Sequence, residues 1–150
     1  MSTLITIIIL SMLPVSELRG AIPFAMAKGL SPVSVFFLAV IPNILIIFLA
    51  LFFLDYIHKY FMKISVYNKL FTMYLDRVRH KVALKNGMLP FLMLFLFVAI
   101  PFPGTGAYTG SMITWFFKME RKKAIPVMML AVVSAGVLVT LASIGVFSLL

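Results

Sequence analysis

The chain has 150 residues, of which 63% are hydrophobic and only 11% are charged, whereas a soluble domain carries about 25% charged residues. This composition excludes an ordinary soluble protein, and the absence of cysteine excludes disulfides, thiolate metal sites and a cysteine nucleophile. In a membrane protein, a net charge of +9 is typical of basic cytoplasmic loops rather than of nucleic-acid binding. We therefore predict an all-α integral membrane protein with no nucleic-acid partner and no cofactor.

The first predicted element is a helical hairpin with a polar tip. An apolar run over residues 3–26 is interrupted by two charges and by three residues that disfavour a straight helix, namely Glu17, Arg19, Pro14, Gly20 and Pro23. A charge at the centre of a bilayer costs about 2.5–3.5 kcal/mol, and broken backbone is tolerated there only where protein buries it or it lines a wet cavity. We therefore predict a re-entrant hairpin that turns at this tip and leaves the membrane on the side from which it came.

A connector and a full membrane span follow the hairpin. Ser31 is a typical N-cap and Pro32 a typical first helical residue. Residues 32–54 carry no charge and are long enough to cross a bilayer with some tilt. Pro42 and Asn43, in the middle of this span, predict a kink and a polar side chain turned toward the protein interior.

Residues 55–87 differ in character and predict an amphipathic, basic linker. Apolar residues recur at helical spacing between its lysines and arginines, a pattern typical of helices that lie in the headgroup region of a membrane. We expect anionic lipid headgroups to be the partner of this linker. Both histidines of the chain, His58 and His80, lie here without a carboxylate cluster beside them, so we expect them to be solvated surface residues and predict no metal site.

The second half of the chain repeats this order. Residues 88–100 form an apolar run that is too short to cross a bilayer. The next stretch, residues 101–110, contains two prolines and three glycines and cannot remain a regular helix, so residues 111–117 are the predicted returning limb. After a basic cluster at residues 118–123, residues 124–150 form the second predicted span, in which small residues allow close helix packing.

These patterns predict one membrane domain built from two repeats, residues 1–54 and residues 88–150, which the linker joins. Each repeat is a re-entrant helical hairpin followed by a transmembrane helix. When the two tips are aligned, Pro14 of the first lies over Pro101 of the second. The sequence identity between the repeats is low, and the prediction rests on the shared succession of elements.

The distribution of basic residues predicts the orientation in the membrane. All of the 13 Lys and Arg residues except Arg19 and Lys28 lie in the linker or in the basic cluster at residues 118–123. These two segments share one face only if each hairpin returns to its own side, and the positive-inside rule favours that arrangement. Both termini then lie outside, the basic segments lie in the cytoplasm, and the two repeats are inverted, as in many secondary transporters.

The two tips carry the motifs Glu17-x-Arg19-Gly20-x-Ile22-Pro23 and Pro101-x-Pro103-Gly104-Thr105-Gly106-Ala107-Tyr108-Thr109-Gly110. With these motifs, essentially the whole chain resembles the small multi-drug export protein family, a distant relative of the DedA/VTT (SNARE-associated) membrane proteins. The resemblance implies two re-entrant hairpins whose tips meet at the bilayer midplane, in a half-size version of the DedA plan. DedA relatives are associated with translocating or scrambling lipids, including polyprenyl-phosphate carriers. They typically carry arginines near the second Pro-Gly motif, which this chain lacks.

We predict a substrate or ion site between the two tips. A guanidinium binds a pair of phosphate oxygens well, and a carboxylate at membrane depth can exchange protons or cations. The alternative for the two charges is a structural ion pair. The glycines and prolines of the second tip either present bare backbone amides to an anion or let the hairpins cross closely. The predicted site residues are Glu17, Arg19, Gly20, Pro23, Asn43, Pro101, Pro103, Gly104, Thr105, Gly106, Tyr108 and Thr109.

The function predicted from these features is a small inverted-repeat transporter or scramblase of the DedA-like type that moves a lipid-linked or amphipathic anion, with protons as the coupling ion through Glu17. We expect a homodimer, because two spans and two hairpins can hardly enclose a solvated site alone. The alternative is a non-transporting scaffold or lipid-packing protein that acts through its basic linker. We do not expect an enzyme, because the hairpins hold no histidine or cysteine and a single carboxylate.

Overall fold

In the computed structural model, which describes residues 3–61, 63–81, 88–102 and 104–149, all regular secondary structure is helical. Helix α1 (Thr3–Met12) and helix α2 (Glu17–Ala27) pack against each other as a hairpin. Residues 13–16 turn between them, and Pro14 in this turn has no amide hydrogen with which to continue α1. Glu17 and Arg19 lie in the first turn of α2, so the charges begin the second limb instead of occupying an unwound tip.

Helix α3 (Pro32–Phe52) begins as the sequence predicts. Ser31 is its N-cap, and the Ser31 hydroxyl accepts a hydrogen bond of 3.3 Å from the amide of Ser34. Pro42 lies inside the helix, and Asn43 is fully buried, which confirms that its side chain faces the interior. The helix continues through a π-helical turn (Phe53–Ile57) into the short helix α4 (His58–Phe61), a change of geometry that the sequence analysis did not predict.

Helix α5 (Ser65–Lys81) supplies most of the described part of the linker, of which residues 82–87 lie outside the described residues. Its Phe71 side chain is buried, whereas its other described side chains, including Leu70 and Met73, are exposed. The His58 ring packs 4.2 Å from the Phe71 ring and 5.0 Å from the Trp115 ring. The expectation of a solvated His58 is therefore wrong, because α5 folds back and Phe71 covers the imidazole. The side chain of His80 lies outside the part of the chain that the structure describes.

The second half contains helix α6 (Leu89–Ala99), helix α7 (Ala107–Phe116) and helix α8 (Arg121–Ser148). The returning limb begins at Ala107 and not at the predicted Ser111. Gly104 and Gly106 take positive φ angles of 82° and 137°, so the irregular backbone ends at Gly106 and the helix resumes directly after it.

The core lies where the hairpins pack on the two long helices. Gly136 of α8 lets α3 approach closely, since a Cβ atom there would lie 2.5 Å from Cγ2 of Val40. This confirms the predicted close packing at Gly136, whereas a Cβ atom at Gly145 would meet nothing within 4 Å, so the prediction is not confirmed there. Two helical segments, Pro32–Ile57 and Arg121–Val146, are long and apolar enough to cross a membrane. The inversion of the repeats and the re-entrant course of the hairpins remain predictions.

Candidate functional site

The tips of the two hairpins meet, and Arg19 makes the main contact. Its Nη1 atom donates to the carbonyl of Phe102 and, at 2.6 Å, to the carbonyl of Thr105, while its Nη2 atom lies 3.3 Å from the carbonyl of Ile100. The guanidinium therefore holds three carbonyls of the irregular segment that follows α6. The Nε atom of Arg19 is buried and has no hydrogen-bond partner among the described residues.

Glu17 makes the complementary contact with the start of α7. Its side chain is buried, and its carboxylate accepts from the backbone amides of Ala107 and Tyr108, the latter at 3.5 Å from Oε1. Gly106 makes room for this carboxylate, because a Cβ atom at that position would lie 2.1 Å from Oε2 of Glu17. Glu17 also has a positive φ of 44°, a conformation that costs a non-glycine residue about 1–2 kcal/mol.

The charges of Glu17 and Arg19 complement the partial charges of the two helix ends at the break between α6 and α7. A helix carries partial negative charge at its C-terminus and partial positive charge at its N-terminus. Arg19 lies at the carbonyls just beyond the C-terminus of α6, and Glu17 lies at the N-terminus of α7. Among the described residues, no ion pair joins Glu17 to Arg19 themselves. The first hairpin thus supplies one charge to each end of the break in the second.

The hydroxyl groups of the second tip donate hydrogen bonds to backbone carbonyls. Thr105 Oγ1 donates to the carbonyls of Ile100 and Phe102, and Thr109 Oγ1 donates to the carbonyl of Gly104 at 3.1 Å. The Tyr108 hydroxyl reaches back to the first hairpin and donates to the carbonyl of Met12. All three hydroxyls therefore bind main-chain oxygens.

The remaining predicted site residues take different positions. Gly20 packs against the turn of the first hairpin, and a Cβ atom there would lie 2.8 Å from Cβ of Ser16. Pro23 lies inside α2, beyond the first turn that carries the charges. Pro101 is exposed in the irregular segment, and Pro103 lies outside the described residues.

Asn43 belongs to the support of the site rather than to the tip contact. Its Nδ2 atom donates to the carbonyl of Ser11 at 3.0 Å, and its Oδ1 atom is buried without a hydrogen-bond partner in the described part of the chain. Ser16 Oγ similarly donates to the carbonyl of Leu10. The last carbonyls of α1 are thus bound by side chains from α3, from α7 and from the turn. The sequence predicts that Asn43 faces the interior, but it does not identify these partners, because a backbone carbonyl has no sequence signal of its own.

Apolar cavities lie on both sides of the tip contact. One, of about 430 Å³, is lined by Ile100, Phe102 and Thr105 together with residues of α6. The other, of about 720 Å³, is lined by Met12 and Tyr108 together with residues of α3 and the π-helical turn. A polar group bound at the tips would therefore have apolar space beside it.

A second polar cluster joins three elements at the basic end of the molecule. Arg121 of α8 makes a bidentate ion pair with Asp55 of the π-helical turn, and Trp115 of α7 donates to the same carboxylate. Burial beside this cluster lowers the pKa of the His58 imidazole. Asp55 and Arg121 lie in separate basic segments of the sequence, and nothing local indicates that they pair.

Comparison with protein families gives one match. The model of a family described as "Putative small multi-drug export protein" matches residues 17–138. This range includes the charged motif of the first tip, the second tip, α3, α5 and most of α8, whereas α1 and the turn at residues 13–16 precede it. Comparison with curated proteins and with solved structures gives no match.

Proposed function

Since the chain belongs to the small multi-drug export protein family, whose model matches residues 17–138, we propose that it is a membrane transporter whose substrate site is the contact between the two hairpin tips. The substrate we propose is an amphipathic or lipid-linked anion. The observation that carries this proposal is the placement of a buried carboxylate and a guanidinium on the broken backbone of the second hairpin. Ionisable groups inside a membrane are costly and rare, and they typically mark functional sites.

The contact suggests how an anion is bound. The carboxylate of Glu17 occupies the N-terminus of α7, the end of a helix that attracts anions. If Glu17 leaves this position, the amides of Ala107 and Tyr108 become available to an anionic substrate group, and Arg19 provides a cation nearby. The apolar cavities beside the tips would take the hydrocarbon part of such a substrate.

Protons are the coupling ion we propose. A protonated Glu17 is neutral and loses most of its attraction for the N-terminus of α7, so protonation favours separation of the tips and substrate entry. Loss of the proton restores the carboxylate and expels the competing anion. In this scheme the substrate and the carboxylate alternate at one helix end. Lipid scrambling of the DedA-like type, a homodimeric state and a cytoplasmic basic linker that contacts anionic headgroups belong to the same proposal.

Reconstituted liposomes test the proposal. Purified wild-type protein is compared with Arg19→Gln and Glu17→Gln while the movement of fluorescent phospholipid and of polyprenyl phosphate is followed between pH 5 and pH 8. We expect Arg19→Gln to slow movement about 10- to 100-fold, since a hydrogen bond to a charged group contributes about 1.5–3 kcal/mol. We expect Glu17→Gln to remove the pH dependence.

Lys28→Gln is the matched control, because Lys28 is an exposed cation at the end of α2, away from the tips. Each variant is first shown to be folded in detergent at the assay temperature, because the loss of a tip contact is itself expected to lower the unfolding temperature. Equal transport by the wild type and by folded Arg19→Gln would refute the proposed site, as would an unchanged pH profile for folded Glu17→Gln.

A second candidate is a non-transporting scaffold or lipid-packing protein. The observation in its favour is that Arg19 already binds three carbonyls, as expected of a structural clamp. This candidate requires that the tip variants impair only folding or assembly, and that reversing charges in the linker, for example Lys63→Glu and Lys69→Glu together, does the functional harm. The transporter proposal instead requires that the folded tip variants lose transport and that the linker variant retains it.

A further inference from the structure

A groove on the surface of the molecule is separate from the contact between the hairpin tips. It lies between α6 and α8, which pack along each other, and has a volume of about 640 Å³. Its walls are almost entirely apolar and include Leu89, Leu92, Phe95, Pro126, Val127 and Leu130. Leu92 and Leu130 remain 52% and 62% exposed, so the groove is open to whatever surrounds these helices.

One end of this groove is cationic. Lys122 and Lys123, in the first turn of α8, line it together with the apolar side chains. Lys123 pairs with Glu120 at 2.6 Å, but both side chains are more than half exposed. An exposed pair of this kind contributes little free energy and is readily exchanged for another anion. The groove therefore presents a hydrocarbon surface that ends in two ammonium groups.

We propose that this α6–α8 groove binds one anionic phospholipid, with the headgroup phosphate on Lys122 and Lys123 and an acyl chain along the apolar walls. The charge of the lysine end selects an anion, and the length of apolar wall beyond it selects an amphiphile over a free anion. Basic pockets between membrane helices are known to hold anionic headgroups, and the volume lies within the range of about 300–1,000 Å³ of ligand pockets. The inference does not rest on transport at the tips, because the two sets of residues do not overlap.

Titration of phosphatidylglycerol into the purified full chain in detergent tests the inference. Bound lipid is counted by native mass spectrometry, and the unfolding temperature is measured in parallel, since a ligand that binds only the folded state raises it. We expect one phosphatidylglycerol to bind per chain and phosphatidylcholine to bind far more weakly. Each lysine near a membrane surface contributes about fivefold to such binding, so Lys122→Gln with Lys123→Gln should weaken it about 25-fold.

Two further variants separate the headgroup from the chain. Lys28→Gln is the matched charge control, because Lys28 is an exposed lysine after α2 that lies outside both the groove and the basic linker, and it should bind lipid as the wild type does. Leu92→Trp fills the groove from an exposed position and should weaken binding while the lysines remain.

Four results would overturn the inference. They are equal binding of phosphatidylcholine, an equal loss of binding in Lys28→Gln, undiminished binding by folded Leu92→Trp, and a rise of the unfolding temperature with inorganic phosphate as large as that with the lipid. All variants are compared without lipid first, so that a loss of fold is not mistaken for a loss of binding.

Discussion

Glu17 has a backbone conformation that glycine adopts more easily, and its side chain explains why a glutamate is present there. The positive φ of 44° costs about 1–2 kcal/mol. Hydrogen bonds from amides to a charged group contribute about 1.5–3 kcal/mol each, and Glu17 accepts from the two amides that begin α7. The strained backbone is therefore offset by the contact that it makes possible, and the strain marks the residue as part of a site.

Gly106 is the residue on which this contact most depends. We expect Gly106→Ala to lower the free energy of unfolding by about 2 kcal/mol or more, because it combines an unfavourable φ with overpacking. The added Cβ atom would meet the Glu17 carboxylate at 2.1 Å. Thermal or denaturant unfolding in detergent measures the change.

Gly104→Ala provides the control for Gly106→Ala. Gly104 also has a positive φ, but a Cβ atom there meets nothing within 4 Å, so this substitution should cost only about 1 kcal/mol. Adding Glu17→Ala to Gly106→Ala should recover part of the loss, because the clashing carboxylate is then gone. Equal losses in Gly104→Ala and Gly106→Ala would show that the glycines provide only backbone freedom.

For single residues, the sequence identifies the charged side chains of the site, but it does not identify the atoms that they bind. The cost of intramembrane charges singles out Glu17 and Arg19 without any structure. Their partners are backbone atoms about 80–90 residues away, and the backbone carries no sequence signal that identifies it as a ligand. The pairing of Asp55 with Arg121 could not be predicted either, because each residue lies in a segment that contains many charged residues.

Among the elements, the two-limbed form of each hairpin follows most directly from the sequence. Each limb of the two hairpins is too short to span, and proline and glycine interrupt the apolar run between the two limbs of each hairpin, so the pattern of broken runs predicts both hairpins. The start of α7 was misplaced because Ala107 to Gly110 contains a glycine that reads as a breaker, yet Gly110 lies within the helix, where a Cβ atom would meet Val98 of α6 at 2.6 Å. Sequence alone does not distinguish a glycine that breaks a helix from one that permits close packing.

Helix α5 is attached to the rest of the molecule through an aromatic cluster that contains a titratable ring. His58 lies between Phe71 and Trp115, and Asp55, Lys118 and Arg121 line the adjacent cavity. Burial lowers the pKa of His58 from its ordinary value of 6.5. A depressed histidine pKa means that this packing stabilises the fold fully above pH 6.5 and loses that contribution as the pH falls through the lower value.

We therefore expect the contact of α5 with α7 to weaken below about pH 6.5. Trp115 is the one tryptophan of the chain and touches His58, so its intrinsic fluorescence should titrate with a midpoint below 6.5. The titration should vanish in His58→Phe and persist in His80→Gln. An unchanged titration in folded His58→Phe would assign the pH response to another group.

For the molecule as a whole, the two halves contribute unequally to the tip contact. The first hairpin supplies both charged side chains, and the second supplies amides, carbonyls and the glycine that admits the carboxylate. Neither hairpin satisfies its own polar groups alone, so the fold of each depends on the other. This mutual dependence is consistent with two repeats that share a succession of elements but little sequence.

The orientation of the halves can be tested directly, because the chain has no cysteine of its own. Single cysteines replace three exposed residues, Lys28 after α2, Lys69 on α5 and Glu120 before α8, and intact cells are treated with a membrane-impermeant maleimide. Inverted repeats with re-entrant hairpins require Lys28→Cys to react from outside and the other two to react only after the membrane is opened. If each interrupted run is instead a full span, Lys69→Cys and Glu120→Cys must lie on opposite sides of the membrane, and the positive-inside rule would then be violated by one of the two basic segments.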